Sequence, residues 1–163
     1  MEKIDSGQME FQFKPIVLNN LLSEAVVANQ PYAEHFHVKI KLLPLPENSV
    51  INGDYDRLIQ VLSNLISNAI KFSPHDGEIR LTSTLHHSHV EISVTDDGPG
   101  IPELFQPKIF QKFAQADSTL SRVHNGTGLG LNISKTIIER HGGTIYFKTN
   151  TKGTTFSFNL PIK

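Results

Sequence analysis

The sequence predicts an α/β two-layer sandwich, a mixed β-sheet with helices packed on one face. Three observations predict it. Two early stretches, LNNLLSEAVVANQ and DRLIQVLSNLISNAIKF, place apolar residues at helical spacing. Two later pairs of stretches, GEIRLTSTLH with SHVEISVTDD and TIYFKTN with TTFSFNLPI, alternate apolar and polar residues as half-buried strands do. A third helical stretch, ISKTIIERHGG, lies between those pairs, and helices interspersed among strands in this order pack most simply on one face of the sheet. The 163 residues, 38% apolar and 19% charged, suffice for one domain with its own core.

Taken in order, MEKIDSGQM is polar and without a buried-face pattern, so residues 1–10 read as linker and residues 11–163 as the folded domain. FQFKPIVL predicts a short strand. Leu18, Leu21, Leu22, Ala25 and Val26 then mark a helix expected to run up to Pro31. HVKIKLL alternates like a strand, and the proline-rich LPLPENSVING follows as loop. Asp54 is placed to cap a long helix closed by Ser73-Pro74. After the hairpin with its HHSH turn, DDGPGIP ends the second strand. Residues 102–125 show no sustained period and predict a long, partly mobile segment. A helix from about Thr127 to Arg140 and a hairpin turning at Thr151 to Gly153 complete the chain.

Composition removes several classes of function. The net charge is −1 and the 15 basic residues are scattered, which argues against a nucleic-acid or anionic membrane partner. The absence of cysteine excludes disulfides, thiolate metal sites and thiol catalysis. No signal peptide and no apolar run of spanning length is present, so a soluble, cytoplasmic domain is expected, with a membrane anchor left open for a larger parent.

Three stretches carry candidate chemistry. On the long helix, Leu58, Leu62, Leu65, Ala69 and Phe72 form the apolar face, and Arg57, Gln60, Asn64, Asn68 and Lys71 run beside it. The stripe is either a solvated face or a site for a cation and a phosphate. Asparagine is a poor interior helix residue, whereas amide oxygens suit a hard cation and lysine supplies a point charge for phosphate. Asp96 and Asp97 precede Gly98-Pro99-Gly100, which is either a plain turn or a carboxylate aimed at the exocyclic amine of a flat ring such as adenine. HNGTGLGLNIS puts three glycines at the mouth of a helix, where free amides can cradle phosphate; it lacks the lysine and serine or threonine of a P-loop and the spacing of a Rossmann fingerprint.

In order, DRLIQVLSNLISNAIKFSP, DDGPGIP, KIFQKFAQAD, NGTGLGLNIS and KGTTFSFNLP resemble the N, G1, F, G2 and G3 boxes of sensor histidine kinase catalytic domains, members of the GHKL ATP-binding superfamily. The resemblance covers roughly residues 10–163 and implies the Bergerat sandwich, with ATP and Mg²⁺ as ligands. It implies that Asp96 recognises adenine, with Gly98 and Gly100 shaping its turn. Asn68, with Asn64 one turn earlier, would hold Mg²⁺. Asn64, Lys71 and Arg122 form the implied catalytic set, Lys71 on a phosphate and Arg122 on the γ-phosphate. Gly126, Thr127, Gly128, Leu129 and Gly130 would lie under the phosphates, residues 102–125 would be the mobile lid, and Phe110 and Phe113 would dock it.

Hydrolytic members of the superfamily carry a glutamate where this chain has Asn64, and a neutral amide cannot act as a general base, so transfer is expected rather than hydrolysis. The expected acceptor is a histidine on a separate dimerisation domain of the same parent kinase, with a response regulator downstream. None of the eight histidines here has an acceptor context, so residues 1–10 are expected to be the remnant of the connection to that domain, and the chain alone is expected to be monomeric. The alternative is a nucleotide-sensing or protein-docking module without phosphotransfer. Asp97 and Asn125 depart from the asparagine and glycine common at those places. His86, His87 and His89 fall in a turn, and His141 is expected to cap a helix and interact with its dipole.

Overall fold

The structure, a computed structural model, describes residues 10–43, 49–111 and 129–162. In chain order its elements are β1 (Lys14–Val17), α1 (Leu18–His35), β2 (Lys39–Leu43), β3 (Val50–Gly53), α2 (Tyr55–Phe72), β4 (Glu78–Leu85), β5 (His89–Asp96), α3 (Leu129–Arg140), β6 (Ile145–Asn150) and β7 (Gly153–Pro161).

Helical spacing of apolar residues produces the helices. Leu18, Leu21, Leu22 and Ala25 of α1 are fully buried. The helix does not stop at Pro31 but continues to His35. The ring removes the N–H that would bond the carbonyl of Val27, and Val27 is 71% exposed, so water can take that carbonyl. In α2, Asp54 accepts from the Arg57 N–H at 3.1 Å as the expected N-cap, and its other oxygen accepts from the Gln12 N–H at 2.8 Å. The buried face of α2 is broader than the expected row: Val61, Ile66 and Ile70 join Leu58, Leu62, Leu65 and Ala69, while Phe72 is half-buried. The cause is position, for α2 touches α1 on one side, α3 on the other, and β4 and β5 beneath.

Strand alternation builds the layer below. The sheet order is β2-β4-β5-β7-β6, with β2 parallel to β4 and the other neighbours antiparallel. Ile79, Leu81, Val90, Ile92, Val94, Phe156, Phe158 and Leu160 are buried in one core with the helices. Each such burial stabilises by roughly 1.5–3 kcal/mol. The opposite face is polar: Ser93 and Ser157 share a hydrogen bond of 2.7 Å, and Thr95 and Thr155 one of 2.9 Å, each a directly opposed pair. One strand was not foreseen. β3, at the end of the proline-rich stretch, pairs antiparallel with β1 in a separate two-stranded ribbon. Four residues are too few for alternation to declare itself.

The topology converges on the C-terminal end of β5. There the last turn of α2 and the β6–β7 turn both lie against the residues that follow Asp96. No helix among the described residues is long and apolar enough to cross a membrane.

Candidate functional site

The alternation that turns Val90, Ile92 and Val94 inward also turns Asp96 inward at the last position of β5, where it is 4% exposed. Oδ1 accepts from the Gly98 N–H at 2.8 Å. Burial pushes the carboxyl above its ordinary value, and hydrogen bonding to the backbone of Gly98 and Thr154 acts against that push. Asp97 points the other way. Its two oxygens receive the Arg80 guanidinium at 2.9 and 3.2 Å, and this pairing holds its carboxyl below the usual range. Two adjacent carboxylates are thus divided into a surface ion pair and a buried acceptor.

The glycines keep side chains out of the turn. A Cβ on Gly98 would stand 2.3 Å from the Phe72 carbonyl oxygen. Gly100 has φ +88°, and a Cβ there would stand 2.1 Å from the Asn150 carbonyl oxygen. The turn is fastened to the sheet by the Ile101 N–H, which donates to Thr149 Oγ1 at 2.9 Å, and that hydroxyl shares a 2.8 Å hydrogen bond with Thr154. A flat ring can therefore approach backbone and carboxylate together.

Because Phe72 lies over Gly98, the end of the polar stripe on α2 borders the same place. Asn64, Asn68 and Lys71 are all half-buried. Asn64 Nδ2 donates to Oγ of the fully buried Ser134 at 3.2 Å, tying α2 to α3. The described residues offer Asn68 no side-chain hydrogen bond, and burial lowers the Lys71 pKa without a carboxylate among them to offset it. At the other end, Arg57 lies over the Phe11 ring at 5.8 Å. The stripe is therefore not one solvated face. Its C-terminal half offers amide oxygens and a cation, a donor set suited to a hard metal ion and a polyanion.

Phe113, Arg122, Gly126, Thr127 and Gly128 lie outside the described residues, as does Asn125. Leu129 and Gly130 are the first residues of α3. The expected loose segment after Pro102 is fixed over its first part. A short 3-10 turn covers Gln106–Lys108, Gln106 Nε2 donates to the Ile101 carbonyl at 2.9 Å, and Ile109 is buried. Phe110 packs on Phe147 at 5.9 Å and edge-on against Phe156 at 6.2 Å, both on the sheet. Aromatic contacts substitute there for a helical or strand period.

His141 is more than a cap at the end of α3. Its Nε2 accepts from the Asp54 N–H at 3.0 Å, so Nδ1 carries the proton and donates to the Ile137 carbonyl at 2.8 Å. Burial lowers its pKa and favours this neutral form over a charge on the helix dipole. His86 and His89 stack at 4.6 Å, and among the described residues they do not converge with His87 as a ligand set. Arg80, Ser134, Thr149 and Thr154 support the site without a signal in the sequence, because each acts through a partner distant along the chain.

Residues 53–163 match the family described as Histidine kinase-, DNA gyrase B-, and HSP90-like ATPase, and the chain belongs to it. Within that family of ATP-binding domains, its relatives are sensor histidine kinases of two-component signalling. Sensor histidine kinase WalK of Bacillus subtilis (strain 168) is 34% identical over 167 residues, which cover 100% of this chain and 27% of WalK. The catalytic domain of histidine kinase ThkA superposes with a TM-score of 0.81 at 34% identity, covering 92% of this chain and 95% of that one. ThkA in complex with the response regulator protein TrrA gives a TM-score of 0.79 at 31% identity, covering 98% of this chain and 45% of that one. The chain spans 11–27% of the length of the curated relatives compared with it.

Proposed function

We propose that this chain is the catalytic domain of a histidine kinase that binds Mg-ATP and transfers the γ-phosphate to a histidine on a separate dimerisation domain of the same parent, from which a response regulator takes it. The observation that carries this reading is the buried Asp96 carboxylate beside a side-chain-free glycine turn. An adenine amine satisfies that acceptor. Guanine, with a carbonyl at that place, leaves it desolvated and unpaired.

Asn68, with Asn64 beside it, would hold Mg²⁺, and the half-buried amide of Asn68, without a described side-chain partner, fits that role. When bound, the ion offsets charge developing on the transferring phosphoryl group. Lys71 would pair with a phosphate, the backbone of Gly126, Thr127, Gly128, Leu129 and Gly130 would receive the others, and Arg122 would meet the γ-phosphate. Phe110 and Phe113 dock the lid. The acceptor imidazole nitrogen forms the new bond to the γ-phosphorus while the bond to the bridging oxygen breaks, releasing ADP. Asn64 supplies no general base for water, which disfavours hydrolysis. Residues 1–10 would be the connection to the dimerisation domain.

The test supplies the parent's dimerisation fragment in trans with γ-labelled ATP. Label is expected on a histidine of that fragment, dependent on Mg²⁺ and lost in Asn68→Ala. ATP binding with no transfer to the supplied fragment would favour a nucleotide-sensing or docking module.

A further inference from the structure

A second cluster of ligating side chains lies in the loops that lead into β2 and β4, on residues not assigned above. β2 and β4 are parallel neighbours, with Lys39 opposite Glu78. Parallel pairing places the connection from α1 into β2 beside the connection from α2 into β4. The two loops continue the ladder: the Asp76 N–H donates to the His37 carbonyl at 2.9 Å, and the Lys39 N–H to the Gly77 carbonyl at 3.0 Å. His37 and Asp76 thus occupy equivalent places, each two residues before its strand.

Those same two residues are the non-glycine residues with positive φ among the described ones, at 56° for His37 and 64° for Asp76. A left-handed histidine or aspartate is disfavoured by roughly 1 kcal/mol, and here both are held by the shared hydrogen bonds. The consequence is a fixed direction for each Cα–Cβ bond, from which the side chain rotates. His75 completes the group. Its ring lies 4.5 Å from the His37 ring, and its Nε2 is 3.9 Å from Asp76 Oδ1. One ligand atom from each of the three lies within 4.8 Å of the others, and all three residues are exposed.

We propose that His37, His75 and Asp76 form a binding site for a divalent transition-metal ion of the Zn²⁺ class, bridging the α1–β2 and α2–β4 connections. Two imidazoles and one carboxylate are a donor set that Zn²⁺ accepts, with water in the remaining position, whereas Mg²⁺ and Ca²⁺ prefer oxygen alone. Ligand atoms about 2.0–2.1 Å from a tetrahedral ion stand about 3.3 Å apart. Closure from the present spacing of up to 4.8 Å needs ligand atoms to approach by up to about 1.5 Å through side-chain rotation, which exposed rings can make at little cost. The ion would fasten the loop that leaves α2, whose last turn carries Lys71.

The experiment is calorimetric titration of the untagged chain with ZnCl₂ and, separately, MgCl₂, without nucleotide, so that its outcome is independent of the kinase reading. Asn tolerates left-handed backbone, so the variants are His37→Asn, His75→Ala and Asp76→Asn, with His86→Ala/His89→Ala as a control for the other histidine pair. Metal-free melting curves verify that each variant is folded. The expected result is one Zn²⁺ per chain, no competition by Mg²⁺, affinity lowered on the order of tenfold or more by His37→Asn and by His75→Ala, and no change in the control. Saturating Zn²⁺ should raise the melting midpoint of the wild type and not of His75→Ala. Absence of Zn²⁺ binding by the wild type, or binding unchanged by both histidine substitutions, would overturn the proposal.

Discussion

Asp96 and Asp97 adjoin in sequence, yet their carboxyls shift in opposite directions, Asp96 upward by burial and Asp97 downward by its hydrogen bonds to Arg80. Burial raises Asp96, so its folded value lies above the unfolded one. Such a group contributes stability below the unfolded pKa and loses it as pH rises through the folded pKa. The ionised carboxylate is therefore a burden on the fold, which in the proposed function a ligand amine offsets. Asp96→Asn is expected to keep or raise the melting midpoint while weakening ATP-analogue binding by roughly 10- to 100-fold, the equivalent of about 1–3 kcal/mol for an acceptor lost from a buried site. Parallel melting and binding measurements check both halves. His141 has the opposite sign. Its folded pKa is lowered by burial from 6.5, so stability is complete above that value and declines as pH falls through it toward the folded pKa. Urea midpoints measured from pH 8 to pH 5 should fall for the wild type and flatten in His141→Gln. At this scale the sequence displayed Asp96 and the glycines of its turn through the DDGPG pattern. It could not display Arg80, Ser134 or the bond from Asp54 to His141, because a hydrogen bond across 87 residues leaves no local pattern.

Among the elements, α2 was the most legible and is the most constrained. Its cap, its stop at Ser73-Pro74 and its apolar row are all local properties of the chain. Its broad burial is not, since Val61, Ile66 and Ile70 are covered only because α1 and α3 flank it. Leu62→Ala is expected to cost about 2–5 kcal/mol, as for other fully buried leucines, and Asp54→Ala about 1 kcal/mol. Chemical denaturation of each variant measures these. Asp54→Ala leaves its own N–H to His141, so the two effects separate. Gly100→Ala should be worse than its size suggests, because the methyl would meet the Asn150 carbonyl and the backbone would remain at φ +88°. β3 and the continuation of α1 beyond Pro31 were hidden for different reasons: the strand is short and defined by its partner β1, and the proline lies one turn after Val27, an exposed residue whose surroundings leave room for water.

For the whole molecule, the two-layer sandwich serves to bring three distant segments to one place. The end of β5 carries the buried acceptor, the C-terminal half of α2 carries Asn64, Asn68 and Lys71, and the β6–β7 turn lies against the glycine turn. Helical and alternating periods in the sequence were enough to predict the layers, since each records which face of an element is buried. They could not show which loops meet, which is decided by strand order, and so the approach of His37 to His75 and Asp76 emerges only from the parallel pairing of β2 with β4. In the proposed function Asp96 selects an adenine nucleotide by accepting from its amine. The most direct measurement is calorimetric titration of the chain with non-hydrolysable analogues of ATP and GTP, in Mg²⁺, for the wild type and Asp96→Asn. Binding of the ATP analogue alone, lost in the variant, is the predicted result. Equal binding of the two analogues by the wild type, or ATP-analogue binding unchanged in Asp96→Asn, would contradict it.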